Sequence, residues 1–170
     1  YGWYGALTEL DPTQMYKLQL TAAAELGITG VPVDVTSTPI SLIAGWNWIG
    51  YLPQNAGALG EALVSVGDDA TFISSQSSGT AQNYGDYGWY GALTELDPGK
   101  MYLLKFTAAD ELVIIGLPVD VAFTNISLIA GWNCIGYLPQ NAGALAEALV
   151  SVGDDATFIS SQSSGKAQNY

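Results

Sequence analysis

The 170-residue chain is 49% hydrophobic, which is enough to bury a core, but only 12% of its residues are charged. Sixteen acidic residues stand against four lysines, with no arginine or histidine, and give a formal net charge of −12. Such a surface repels phosphates, so nucleic acids and anionic membranes are not expected partners, and no segment is apolar for long enough to insert into a bilayer. Without histidine the chain lacks the usual general base, and we expect no enzyme.

A long internal repeat divides the sequence. The run YGWYGALTELDP occupies residues 1–12 and returns at residues 87–98. Extending this alignment pairs residues 1–84 with residues 87–170, and 15 of the 84 paired positions differ. Such near identity is typical of a tandem array, so we predict one module in residues 1–84 and a second in 87–170.

Each copy begins with a predicted strand around YGWYGAL. Within residues 15–22 and 25–36 the two copies differ at alternate positions, 17 and 19 in the first segment and 27, 29 and 31 in the second. This period of two indicates strands with one variable face. PISLIAGWNWIGYL is predicted to form strands that bend at Gly45. The other predicted strands are residues 15–22, 25–36 and 71–76, with 101–108 and 111–122 in the second copy.

One helix per copy is predicted from the apolar spacing in NAGALGEALVSVG. Asn55 is a candidate N-cap, and Gly67 is a candidate C-terminal stop. The apolar face of this helix must cover a sheet. The predicted fold class is therefore mainly β (α+β), with two tandem β-rich modules that each carry one short helix.

Several short motifs follow one another in a fixed order: GWNWIGYLPQ, an apolar helix, GDDATFISSQ, AQNY and GWYGALTELDPGKMYLLKF. This order resembles a repeat module of large secreted and cell-surface proteins of bacteria and algae, although Met15 and Met101 stand where that family commonly has glycine. The resemblance implies scaffold or surface units without catalytic residues. It also implies different boundaries, with a whole module at 40–121 between half modules at 1–36 and 126–170.

Acidic pairs and one asparagine are the candidate sites for a metal and for modification. Solvated turns are the favoured interpretation of the acidic pairs, because calcium takes six to eight oxygens and the spacing is not that of an EF-hand. We therefore expect no cofactor, with calcium as the weaker alternative. Asn125 begins an N-glycosylation sequence that the first copy lacks at Pro39. The acidic residues concerned are Asp68, Asp69, Asp154 and Asp155.

Tryptophans suggest both a binding surface and a boundary. Trp3 and Trp89, beside tyrosines and glycines, could form a flat platform for sugar rings, although burial in a core or an interface is the favoured alternative. Trp48 of the first copy is replaced by Cys134 in the second. Because truncating a buried tryptophan leaves a costly cavity, this difference indicates a module boundary where the copies have different neighbours.

The variable strand face is more apolar in the second copy than in the first. Exposed apolar surface of this kind favours association, so we predict an assembly interface there. In this prediction residues 126–170 of one chain meet residues 1–36 of the next and complete a module. The predicted interface residues are Leu103, Val113, Ile115, Leu117 and Phe123.

Together these features predict a structural, extracellular or cell-surface repeat protein that assembles head to tail into a filament or surface layer, with Asn125 as the candidate glycosylation site if the chain passes through a glycosylating pathway. Its expected partners are copies of itself. The alternative is a carbohydrate-binding adhesin or lectin module, in which case glycans are the partners.

Overall fold

The computed structural model describes residues 2–32, 34–117 and 125–170. The chain is mostly β-strand with short helices, which confirms the predicted mainly β fold class. Within these ranges no helix is long and apolar enough to cross a membrane.

The helices are α1 (Leu59–Ala62) and α2 (Leu145–Ala148), with 3-10 segments at Val35–Ser37, Val64–Asp69, Gly85–Tyr87 and Gly153–Asp155. The strands are β1 (Trp3–Gly5), β2 (Glu9–Leu10), β3 (Met15–Leu20), β4 (Ala24–Gly27), β5 (Ile40–Leu42), β6 (Gly45–Gly50), β7 (Gly57–Ala58), β8 (Ala70–Ser75), β9 (Thr80–Asn83), β10 (Trp89–Gly91), β11 (Glu95–Leu96), β12 (Met101–Phe106), β13 (Asp110–Leu112), β14 (Asn125–Leu128), β15 (Gly131–Gly136), β16 (Gly143–Ala144), β17 (Ala156–Ser161) and β18 (Lys166–Asn169).

Two five-stranded antiparallel sheets organise the chain, and each takes strands from both sequence copies. One sheet has the order β10-β9-β8-β12-β6, and with the pairs β11-β7 and β13-β5 it forms what we call the central module, residues 40–117. The other has the order β1-β18-β17-β3-β15. With the pairs β14-β4 and β16-β2 it forms the split module, residues 2–32 together with 125–170.

The split module closes within a single chain. β3 pairs with β15 on one side and with β17 on the other, and β1 pairs with β18. The prediction that residues 1–36 are completed by residues 126–170 of the next chain is therefore wrong, because the same antiparallel pairing is satisfied within the chain. Each module then has its own hydrophobic core, covered by α1 or α2.

The alternation expected from the variable positions is present in β3 and β12. In β3, Leu18 and Leu20 are buried, whereas Lys17 and Gln19 between them lie on the more exposed face. Of the strands predicted at 25–36 and 111–122, β4 ends at Gly27 and β13 at Leu112, and the described residues that follow them are not in strands of the sheets. Residues 33 and 118–122 of these predictions lie outside the described residues. Beyond β4 the chain leaves the sheet, and Gly30 packs against the ring of Pro139 too closely for a larger residue.

The predicted helix at residues 55–67 is a single α-turn followed by a 3-10 segment. Asn55 does not cap it, since Ala58 holds the N-cap position without a side-chain hydrogen bond. The preceding residues instead belong to β7, and the N–H of Leu59 donates to the carbonyl of Thr94. Gly67, the predicted C-terminal stop, has φ +50° and interrupts the following 3-10 segment, which continues to Asp69.

A buried tyrosine anchors the turn before the fourth strand of each sheet. The phenol oxygens of Tyr16 and Tyr102 accept hydrogen bonds from the backbone N–H groups of Asp11 (2.6 Å) and Asp97 (2.7 Å). Neither tyrosine has measurable exposure. Burial disfavours the phenolate and raises the pKa of each phenol to about 12.

A glutamine from each module covers the edge strand of the other. Gln162 donates from Nε2 to the carbonyl of Trp46 (2.7 Å) and accepts at Oε1 from the N–H of Trp48 (2.6 Å). Gln76 makes the same pair of bonds to the backbone of β15, at 2.7 and 2.9 Å. We call these contacts the glutamine clamps. They satisfy backbone N–H and carbonyl groups of β6 and β15 that would otherwise be free to pair with a strand of another molecule.

The raised tyrosine pKa values predict a loss of stability at alkaline pH. A phenol with pKa near 10 in the unfolded chain and about 12 in the folded chain stabilises the fold fully below pH 10. This contribution, on the order of 2 kcal/mol per tyrosine, is lost as pH rises from 10 through 12. Unfolding free energy measured against pH should fall in that window. Tyr87→Phe, at an exposed site, is the control and should leave the profile unchanged, whereas a flat profile would contradict the prediction.

Removing the glutamine clamps should loosen the module contact and expose two strand edges. We expect the double variant Gln76→Ala, Gln162→Ala to lose about 1 to 2 kcal/mol of unfolding free energy per glutamine, because each side chain makes two hydrogen bonds. It should also self-associate more strongly, as measured by light scattering. Gln54→Ala, at an exposed glutamine outside the clamps, is the control. Equal stability and scattering for the double variant and the control would reject this role.

Candidate functional site

Alternation along β6 directs its side chains to two different faces. Asn47 and Ile49 are buried on the core side, whereas Trp46 and Trp48 lie on the opposite side, which we call the open face of the sheet. The amide of Asn47 accepts from the N–H of Ile43 (2.9 Å) and donates to its carbonyl (2.7 Å). These bonds close the bend at Gly45, whose φ is +98°, and so fix the start of β6.

The register of the central sheet aligns one open-face residue from each of its five strands. Neighbouring strands lie about 4.8 Å apart, so this alignment extends about 19 Å across the sheet. Its members are aromatic or carry long polar side chains, and all but Phe72, which is half-buried, are exposed to solvent. We call this alignment row 1, and its members in order are Tyr90, Gln82, Phe72, Lys105 and Trp46.

Ring contacts give row 1 a continuous apolar surface at one end. The rings of Trp46 and Phe72 meet edge to face, with centroids 5.9 Å apart and planes at 86°. The ammonium of Lys105 lies 5.9 Å from the centre of the Trp46 indole. Trp46 remains 47% exposed and Tyr90 60% exposed, so both ends of the row can be reached from solvent.

The split module repeats this arrangement. Its rings of Trp132 and Phe158 also meet edge to face, at 5.7 Å and 80°. A second tyrosine extends the outer end of each row: the rings of Tyr84 and Tyr90 lie 5.9 Å apart, and those of Tyr4 and Tyr170 lie 6.0 Å apart. We call the second alignment row 2, and its members in order are Tyr4, Gln168, Phe158, Gln19 and Trp132.

Trp3 and Trp89, the tryptophans considered for a sugar platform, lie on the other side of the same edge strands. Each is only partly exposed and packs against the core of its module. Their neighbours Tyr4 and Tyr90 point the opposite way along the strand and are the exposed aromatic residues there. The exposed aromatic side chains of these two strands are therefore on the face opposite to Trp3 and Trp89.

The substitution of Trp48 by Cys134 coincides with a contact between the modules, as the sequence indicated. The ammonium of Lys17 in the split module lies 4.6 Å from the Trp48 ring of the central module. At the related position Cys134 and Leu103 line a cavity of about 420 Å³ between the modules. Burial raises the pKa of the Cys134 thiol, and nearby Lys17 partly offsets this effect.

The acidic pairs form turn contacts. Asp69 accepts a hydrogen bond from the hydroxyl of Thr107, and Asp155 accepts one from Thr21 (2.7 Å). Asp68 and Asp154, beside them, are exposed. Across the three described segments, no group of three or more acidic or cysteine side chains could hold a metal ion.

Asn125 is exposed at the start of β14, opposite Gly27 of β4. Ser127 of the same sequence donates a hydrogen bond to Glu25 (2.7 Å). The asparagine side chain is thus accessible for a glycan. Its modification stays a prediction.

The predicted assembly residues separate into two environments. Leu103 lines the cavity between the modules, and Val113 is half-buried, with its N–H donating to Ser65 (3.1 Å). Ile115 and Leu117 are 78% and 66% exposed. Phe123 lies outside the described residues.

In comparisons with protein-family models, curated proteins and solved structures, nothing matches this chain. Its interpretation therefore depends on its own geometry, in which the two rows are an exposed feature that both modules share. Sequence reasoning missed the rows. Alternation places Phe72 or Trp46 on a face of its own strand, but only the pairing of strands distant in sequence brings them together.

Proposed function

We propose that this chain is a non-catalytic, extracellular or cell-surface protein that binds glycans through row 1 and row 2. The observation that carries the proposal is that both modules present corresponding alignments of aromatic and long polar side chains, which differ only in having Lys105 in row 1 and Gln19 in row 2. Its low fraction of charged residues, 12%, and its resemblance to surface repeat modules support the location. The absence of histidine supports a role in binding rather than catalysis.

The chemistry of the rows suits pyranose rings. Aromatic side chains offer large rigid faces on which the apolar side of a sugar can stack, at a low cost in conformational entropy. Gln82 and Gln168 are exposed within the rows, and each amide can both donate to and accept from sugar hydroxyls. A row of about 19 Å across five strands is long enough for an oligosaccharide rather than a single sugar.

Removing the tryptophan at the inner end of each row tests this function. We expect Trp46→Ala with Trp132→Ala to weaken binding on a glycan array about tenfold or more, because exposed aromatic anchors usually dominate such interfaces. Val64→Ala with Val150→Ala is the matched control, since these valines are also exposed and duplicated but lie outside the rows. If no glycan binds the parent chain, or if both pairs of substitutions behave alike, the proposal fails.

A structural, self-assembling role is the second candidate. It is favoured by the exposure of Ile115 and Leu117, which leaves adjacent apolar surface uncovered in the central module. The first copy has Thr29 and Val31 at these positions, so the second copy exposes the larger apolar side chains there. In this role copies of the chain associate side by side through that surface into a filament or layer.

Replacing Ile115 and Leu117 by the residues of the first copy tests assembly with side chains that the same fold already carries at the paired positions. We expect Ile115→Thr with Leu117→Val to shift sedimentation profiles at high concentration toward the monomer, because less apolar surface is buried on association. Val64→Thr is the control at an exposed site elsewhere. A parent chain that stays monomeric at all concentrations would reject the structural role while leaving glycan binding untouched.

A further inference from the structure

Positive charge is concentrated on the open faces of the two sheets. Sixteen acidic residues outnumber four lysines in this chain. Lys105 lies within row 1, between Phe72 and Trp46 in the register. The adjacent alignment on the split module's open face contains Lys166, Ser160, Lys17 and Cys134. Three of the four lysines therefore lie on the faces that carry the aromatic rows.

Negative charge is missing from the same faces. The open-face positions of the central sheet, in row 1 and the alignment beside it, are aromatic, amide, hydroxyl, leucine or lysine residues. The equivalent positions of the split sheet also contain no carboxylate. On a chain of net charge −12, these positions of the open faces carry lysines and no carboxylate, so their charge is opposite in sign to that of the chain as a whole. The residues beside row 1 are Thr80, Ser74, Leu103 and Trp48.

Two of these lysines are available to a ligand. Lys105 and Lys166 are exposed, whereas Lys17 is half-buried over the ring of Trp48. In the described part of the chain the one salt bridge joins Lys100 to Asp97 at 2.8 Å, away from the rows. Lys105 and Lys166 thus present ammonium groups without a carboxylate partner among those residues.

We propose, building on the glycan-binding function above, that the rows bind anionic glycans, in which pyranose rings carry carboxylate or sulfate groups. The rings stack on the tryptophan and phenylalanine of each row, and the acidic groups at the ring edges meet Lys105 or Lys166. Aromatic stacking supplies most of the affinity. The lysines supply the preference for charged over neutral sugars, because the rest of the surface repels anions.

The natural differences between the copies provide the variants for the test. Lys105 corresponds to Gln19, Lys166 to Thr80 and Lys100 to Gln14. The full chain with Lys105→Gln and Lys166→Thr removes the two exposed lysines of the open faces. Lys100→Gln, alone and added to each of these variants, controls for the change in net charge at a site outside the rows.

Binding should be measured by calorimetry with oligogalacturonate and oligomannuronate, each beside its carboxyl-reduced neutral counterpart, and with a sulfated galactan beside the desulfated form. We expect each open-face lysine substitution to weaken binding of the acidic sugars about two- to fivefold, while affinity for the neutral forms stays unchanged. Lys100→Gln should leave the ratio of acidic to neutral affinity unchanged. The carboxylated and sulfated probes show which anion the rows prefer.

Several outcomes would overturn the inference. If the neutral forms bind as well as the acidic ones, or if Lys105→Gln and Lys166→Thr leave the ratio unchanged while Trp46→Ala abolishes binding, the rows bind glycans without selecting charge. Tighter binding of a single-stranded oligonucleotide than of any sugar would assign the rows to nucleic acid instead. If no probe and no sugar on the glycan array binds, both this inference and the proposed function fail.

Discussion

Each large sheet depends on the backbone pairing of its fourth strand, β12 in the central module and β3 in the split module. β12 bonds to β6 on one side and β8 on the other, so its register sets that of the whole sheet. One face of β12 buries Tyr102, Leu104 and Phe106 in the core, and the other carries Lys105. The alignment of row 1 and the anchoring of the preceding turn both follow from this strand. Since β12 and its partners come from different sequence copies, neither copy contains a complete sheet.

The sequence predicted local features of the fold well and their extents less well. Alternate substitution located β3 and β12, because a strand that buries one face tolerates change on the other. The bend at Gly45 was also predicted correctly. The long helix was not, because its apolar spacing is equally satisfied by one helical turn between β7 and a 3-10 segment. Asn55 looked like a cap only because the pairing of β7 with β11 is invisible in the sequence.

The candidate site was harder to predict than the fold, for a physical reason. Trp3 and Tyr4 are adjacent in the sequence, and only the position of the core decides which of them is exposed. The remaining members of the rows come from strands that are far apart in the chain. Charge segregation is hidden in the same way, since a formal net charge of −12 gives no indication that most lysines share the faces that lack carboxylates. A composition that argues against polyanion binding as a whole can still leave room for it locally.

The two modules bury similar cores but have very different chain topology. In the central module Met101 pairs with Gly50, about 50 residues away, whereas in the split module Met15 pairs with Gly136, about 120 residues away. The entropic cost of closing a loop rises with its length, and folding slows as contacts become less local. The central module should therefore form first and serve as a template on which the two outer segments meet. Near-identical sequences would then fold at different rates, solely because of where they lie along the chain.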